Sequence, residues 1–123
     1  MHGLRVSLVI VALTCVSALA QSDAAGNWRV EFVVPSGETM VNMTINQKGT
    51  TLSGRVINEY GEFPLTGRVV DNHVTVEWTV PEDGEQVTIT MSGTLVGDDI
   101  TGTARLGNIG EGSLTAHRMS RNP

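Results

Sequence analysis

Cysteine occurs once, at Cys15, so neither a disulfide framework nor a cysteine-based zinc site can be built from this chain. Aromatic side chains are scarce, at 4% of residues. Positive charge is in deficit: 13 acidic against 8 basic side chains leave a formal net charge of −5. A balance of this sign offers no electrostatic footprint for nucleic acid. No segment carries a helical period, and after the N-terminus no second apolar run is long enough to hold the chain in a membrane. What the 123 residues do contain is 14 glycines set among runs rich in valine, threonine and isoleucine, in a length that suits one domain.

Residues 1–20 read as a secretory signal peptide. His2 and Arg5 form a short positive region, Leu8 to Val16 an apolar core, and Ala18-Leu19-Ala20 an A-x-A cleavage site before Gln21. The apolar run is short for a membrane span. Cleavage would remove Cys15 and Arg5, so residues 21–123 are expected to form an exported, disulfide-free protein, secreted or periplasmic. Residues 21–26 then read as a flexible lead-in, 27–119 as one β-barrel domain and 120–123 as a C-terminal tail.

After Gly26 the pattern alternates with period two, cut by Gly, Asn and Asp about every ten residues. The expected strands are 27–34, 39–47, 50–57, 64–70, 73–80, 86–96, 99–106 and 113–119. Lys48-Gly49, Asp71-Asn72 and Gly97-Asp98 look like two-residue hairpin turns, and such turns set the pairing of the flanking strands. The first then places Ile45 opposite Leu52, Met43 opposite Gly54 and Val41 opposite Val56. The second places Val69 opposite Val74 and Leu65 opposite Trp78; the third places Leu95 opposite Ile100, Met91 opposite Ala104 and Ile89 opposite Leu106. In all three hairpins apolar pairs share one face and polar pairs the other, a separation that a wrong register would scramble.

Gly54, Gly67, Gly93 and Gly102 all fall on the apolar face. Glycine weakens a strand, so its repeated use there points to tight curvature. The fold class expected is all-β: a single antiparallel, up-and-down, eight-stranded barrel. Its tight turns would gather at one end, and longer loops at 35–38, 58–63, 81–85 and 107–112 would form a mouth at the other, a geometry that suits one small ligand.

Gly26-Asn27-Trp28 opens the first strand as G-x-W, and Arg118 lies in the last strand on the parity of Leu114 and Ala116. This pairing resembles the calycin signature of lipocalins, avidins and small bacterial metalloprotease inhibitors. The resemblance implies a barrel floor closed by Trp28 with Arg118 packed across it. Avidins carry a Tyr where Arg55 stands, so biotin binding is not carried over, and the bacterial inhibitors usually carry a disulfide that this chain cannot make. The stretch from Met43 to Arg118 also resembles an uncharacterised β-barrel domain of secreted bacterial proteins.

The expected interior comprises Trp28, Val30, Phe32, Val41, Met43, Ile45, Leu52, Val56, Leu65, Val69, Val74, Val76, Trp78, Val87, Ile89, Met91, Leu95, Ile100, Leu106 and Leu114. It holds no acid, base or nucleophile to position against a substrate. These side chains either fill the barrel or leave an apolar pocket, for which Phe32, Met43, Val56, Leu65, Trp78, Ile89 and Tyr60 are the candidate ligand-binding residues. His73, near Arg68 and Glu77, lies on the outer face, as does His117. No zinc-ligand spacing is present, and no cofactor or metal is expected.

The expected mouth carries Glu38, Glu59, Glu62, Glu82, Asp83, Glu85 and Glu111, more than half of the chain's acidic residues, with no Lys or Arg among the loops. Charge of one sign at the mouth either keeps an exported protein soluble or draws a cation, a basic ligand or a basic partner. Tyr60 and Ile109 are the apolar groups expected at the same rim. Three functions fit this reading. The first is a barrel binding a small apolar or amphipathic ligand through its acidic mouth. The second is an inhibitor or accessory module docking a protein through its loops. The third is a cyclase-type enzyme whose apolar barrel folds a reactive substrate.

Overall fold

The computed structural model describes residues 23–108 and 110–123. The leader, the proposed cleavage site and Ile109 lie outside the described residues. Eight strands follow in order: β1 (Gly26–Val34), β2 (Gly37–Lys48), β3 (Thr51–Asn58), β4 (Gly61–Val70), β5 (His73–Glu82), β6 (Glu85–Val96), β7 (Asp99–Leu106) and β8 (Gly110–Ser120). Each pairs antiparallel with the next, and β8 pairs with β1, so the sheet is a closed up-and-down barrel. Closure leaves no strand edge unpaired. Among the described residues no helix is long and apolar enough to cross a membrane.

The period-two pattern sorts side chains as the alternation requires. Trp28, Met43, Ile45, Leu52, Val56, Leu65, Val74, Val76, Met91 and Ile100 are at most 1% exposed. Fully burying a side chain of this kind contributes about 1.5–3 kcal/mol before the entropy of ordering the chain is set against it. Val87, Ile89 and Leu106, expected inside, are only half-buried, because they stand where the barrel opens.

The registers of β4–β5 and β6–β7 are as the turns predict: Leu65 pairs with Trp78, and Met91 with Ala104. The β2–β3 register is not. Ile45 pairs with Gly54 and Met43 with Val56, and Lys48 pairs with Thr51, so the turn is Gly49-Thr50 instead of Lys48-Gly49. Gly49 takes a φ of 64°, a left-handed conformation that glycine adopts without steric cost. The slip is two residues, so every side chain keeps its face, and the separation of apolar from polar pairs cannot detect it.

Glycines on the inner face are required by close approach. A Cβ on Gly67 would run into the Thr75 carbonyl oxygen, and one on Gly102 into the Ser92 carbonyl oxygen. At these points neighbouring strands fold inward past the space a side chain would need.

The expected long loops of the mouth are a further correction. Val34 pairs with Gly37, Asn58 with Gly61 and Glu82 with Glu85. The connections are therefore the two-residue turns Pro35-Ser36, Glu59-Tyr60 and Asp83-Gly84, and at the last connection Leu106 pairs directly with Gly110. Asp83 and Gly84 both have positive φ, 50° and 82°, as the Asp-Gly type I′ hairpin demands. The mouth is a rim of strand ends, and Glu38, Glu62, Glu82, Glu85 and Glu111 belong to strands.

Candidate functional site

The two ends of the barrel are built differently. At the floor, Trp28 and Arg118 are register partners across the β1–β8 seam. The Arg118 guanidinium carbon lies 4.7 Å from the Trp28 ring centroid, a cation–π distance. Arg118 Nε donates to Asp98 Oδ1 at 2.9 Å. Its Nη1 donates to the carbonyl oxygens of Asp23 (2.9 Å) and Ala25 (2.8 Å), and its Nη2 to that of Gly97 (3.0 Å). Trp28 Nε1 donates to the Ala24 carbonyl at 2.9 Å, and the Ala24 amide donates to Gln47 Oε1 at 2.8 Å. Residues 23–25, read from sequence as part of a flexible lead-in, are thus packed into the floor, with Ala24 fully buried. Arg118 is the one buried charged residue among the described residues, and its donors meet fixed acceptors in fork geometry.

The other end holds a cavity of about 590 Å³. It runs from buried Phe32 and Trp78 up to exposed Tyr60, Pro81, Glu82 and Asp83. Phe32 and Trp78 meet at a ring-centroid distance of 6.0 Å and form the inner aromatic wall. Val34, Val41, Phe63, Val80, Ile89 and Leu106 extend the apolar lining, while Thr39 and Asn58 add uncharged polar groups. The volume lies in the range of pockets that take small organic ligands.

Of the sequence-derived candidates, Phe32, Trp78, Ile89 and Tyr60 line this cavity. Met43, Val56 and Leu65 do not: they lie one layer deeper, in the packed core. Phe63 and Val80 were missed although both sit on the inward parity of their strands. The expected β4 began at residue 64 and so left Phe63 outside it, whereas Val80 is the last residue of the expected β5. The prolines at 64 and 81 obscure the alternation at these strand ends.

The acidic residues are not brought together as one group. Glu82 and Asp83 line the cavity. Glu62 lies 4.0 Å from Arg55 Nε and Glu111 lies 3.9 Å from Arg105 Nε, both as exposed pairs, so arginines in the strands offset part of the rim's charge. Glu38, Glu59, Glu82, Asp83 and Glu85 have no ion-pair partner among the described residues. The Glu59-Tyr60 turn is held by the Tyr60 amide donating to Asn58 Oδ1 at 2.7 Å, which presents the Tyr60 ring 83% exposed. Among the described residues no group of three or more His, Cys, Asp or Glu is arranged to hold a metal ion.

His73 and His117 lie on the outer surface. His73 Nε2 and Ser92 Oγ are 3.0 Å apart, and His117 Nδ1 is 2.8 Å from Asp99 Oδ1.

No model of a known protein family matches the chain, and no curated protein matches it.

Proposed function

We propose that this protein is an exported barrel that binds a small apolar or amphipathic ligand in the cup at its mouth. The observation that carries the reading is the 590 Å³ cavity, apolar at its base and polar at its rim, above a core of buried apolar side chains. A hollow end in a small barrel costs stability, because the side chains around it forgo packing partners, and a ligand would restore those contacts. The Trp28–Arg118 floor supports a calycin-like assignment, since a basic side chain from the last strand crosses the first-strand tryptophan. Such a floor seals one end and leaves the other to open onto solvent.

Native mass spectrometry of the exported protein tests the reading. A mass excess that disappears on denaturation would identify a co-purified ligand. A bare mass, unmoved by lipid extract, would count against it.

A second reading, docking of a protein partner, is favoured by Tyr60, whose ring projects from a rigid two-residue turn at the rim. Exposed aromatic anchors are the residues on which interfaces concentrate binding energy. Replacing Tyr60 with alanine would abolish capture of such a partner, whereas binding of a small ligand would depend more on Phe32 and Trp78 at the base of the cup.

A further inference from the structure

The cup carries charge of one sign only. Its lining includes two carboxylates, Glu82 and Asp83, and no Lys, Arg or His. Among the described residues neither carboxylate has an ion-pair partner, and the same holds for Glu85, register partner of Glu82. The two arginines near the rim, Arg55 and Arg105, are engaged with Glu62 and Glu111. The rest of the lining is apolar or aromatic, with Phe32, Trp78 and Phe63 presenting rings and Thr39 and Asn58 supplying neutral hydrogen-bonding groups.

We propose that the cup selects an organic cation: a protonated amine or quaternary ammonium carried on an apolar body. This rests on the cup being a ligand site, as proposed above, and adds the sign of the ligand's charge. The apolar body would lie against Phe32, Trp78, Ile89 and Leu106, and the cationic head would stay at the rim beside Glu82 and Asp83. A rim carboxylate keeps its hydration while the ligand is absent, so the acids impose no burial cost on the empty cup. Ring faces attract the same charge sign as the carboxylates do. An anionic amphiphile of equal length would place its head against two carboxylates of the same sign, a like-charge contact that costs affinity. The negative net charge of the chain acts in the same direction at longer range.

The test uses three probes with one twelve-carbon tail, dodecylammonium, dodecanol and dodecanoate, each below its aggregation concentration. Binding is followed by tryptophan fluorescence, since Trp78 lines the cup while Trp28 is sealed in the floor. Dodecylammonium is expected to bind at least about fivefold more tightly than dodecanoate, the scale of one modest charge interaction. In the Glu82→Gln, Asp83→Asn double variant that preference should fall towards unity while dodecanol binding is unchanged. A Glu31→Gln, Glu77→Gln variant, which removes the same charge from the outer wall, should keep the preference.

Equal binding of all three probes overturns the charge assignment and leaves the cup standing as an apolar site. Loss of the preference in the outer-wall variant to the same degree also overturns it, because the attraction would then be net charge alone. If none of the three probes binds, the ligand-site reading itself falls, and this inference falls with it.

Discussion

Arg118 stacks its guanidinium over the Trp28 ring while four acceptors take its hydrogen bonds, three of them backbone carbonyls. Its side chain is 2% exposed although its ionic partner Asp98 is 47% exposed, so its counter-charge is a half-solvated carboxylate shared with Arg121 and its orientation comes from the main chain. Arg118→Met would leave those carbonyls without a donor in a closed floor. The expected loss is roughly 3 kcal/mol, read as a lower urea midpoint at unchanged slope. Arg118→Lys keeps the charge but not the planar fork and is expected to recover less than half of the loss. A midpoint within experimental error of the parent protein for Arg118→Met would show that the floor is not held by this residue.

The N-terminal segment is a working part of the same floor. The carbonyls of Asp23 and Ala25 accept from Arg118, and that of Ala24 accepts from Trp28 Nε1. A protein beginning at Gly26 would lack all three acceptors and the buried Ala24 side chain. It is expected to be less stable than one beginning at Gln21 by about 2–4 kcal/mol, on a scale of about 1 kcal/mol for each buried hydrogen bond lost. Equal thermal midpoints for the two would refute this.

Gly67 offers a clean measure of strand proximity, because its φ is not in the left-handed range and only space is at issue. Its Cβ position is occupied by the Thr75 carbonyl oxygen and crowded by Val76 Cα. Gly67→Ala is therefore expected to destabilise by at least about 2 kcal/mol through backbone displacement. Thr66→Ala, one residue earlier on the exposed face, should change stability by no more than about 0.5 kcal/mol. Chemical denaturation of both variants gives the comparison, and equal effects would mean that β4 and β5 can separate at Gly67 without penalty.

The barrel was legible because alternation is strongest where one face is sealed from water. In β4–β5 and β6–β7, Asp71-Asn72 and Gly97-Asp98 mark their own turns, and the pairings follow. In β2–β3 the glycine that turns the chain is Gly49, and either of two adjacent turn placements keeps Ile45 and Met43 inside, so face parity could not choose between them. The mouth was read least well. There the inward positions Thr39, Asn58 and Glu82 are polar, because that end opens onto water, and Pro64 and Pro81 sit inside strands. A pattern that relies on apolar side chains pointing inward fades where the inside is wet, so strand ends looked like loops. Asp83-Gly84 carried a strong hairpin signal of its own, and it was the one local cue that could have shortened the mouth. The Trp28–Arg118 contact was legible only through a resemblance, since nothing in period-two alternation pairs the first strand with the last.

Phe63 and Leu65 stand two residues apart on the inward face of β4 and separate the cup from the core. Leu65 is 1% exposed among packed neighbours, whereas Phe63 is half-buried and lines the cavity. Leu65→Ala would open a void in a close-packed layer, and a loss of about 2–5 kcal/mol is expected. Phe63→Ala removes a larger side chain, yet its ring already faces open space, so the loss should be smaller, about 1–2 kcal/mol, well below the cost of deleting a fully buried phenylalanine. Only the Phe63 variant should weaken dodecanol binding to the cup, because Leu65 does not line it. Urea denaturation with and without dodecanol reads both effects. If Phe63→Ala proved the more costly of the two, the mouth would have to be packed as tightly as the core, and the cup would not be open in solution.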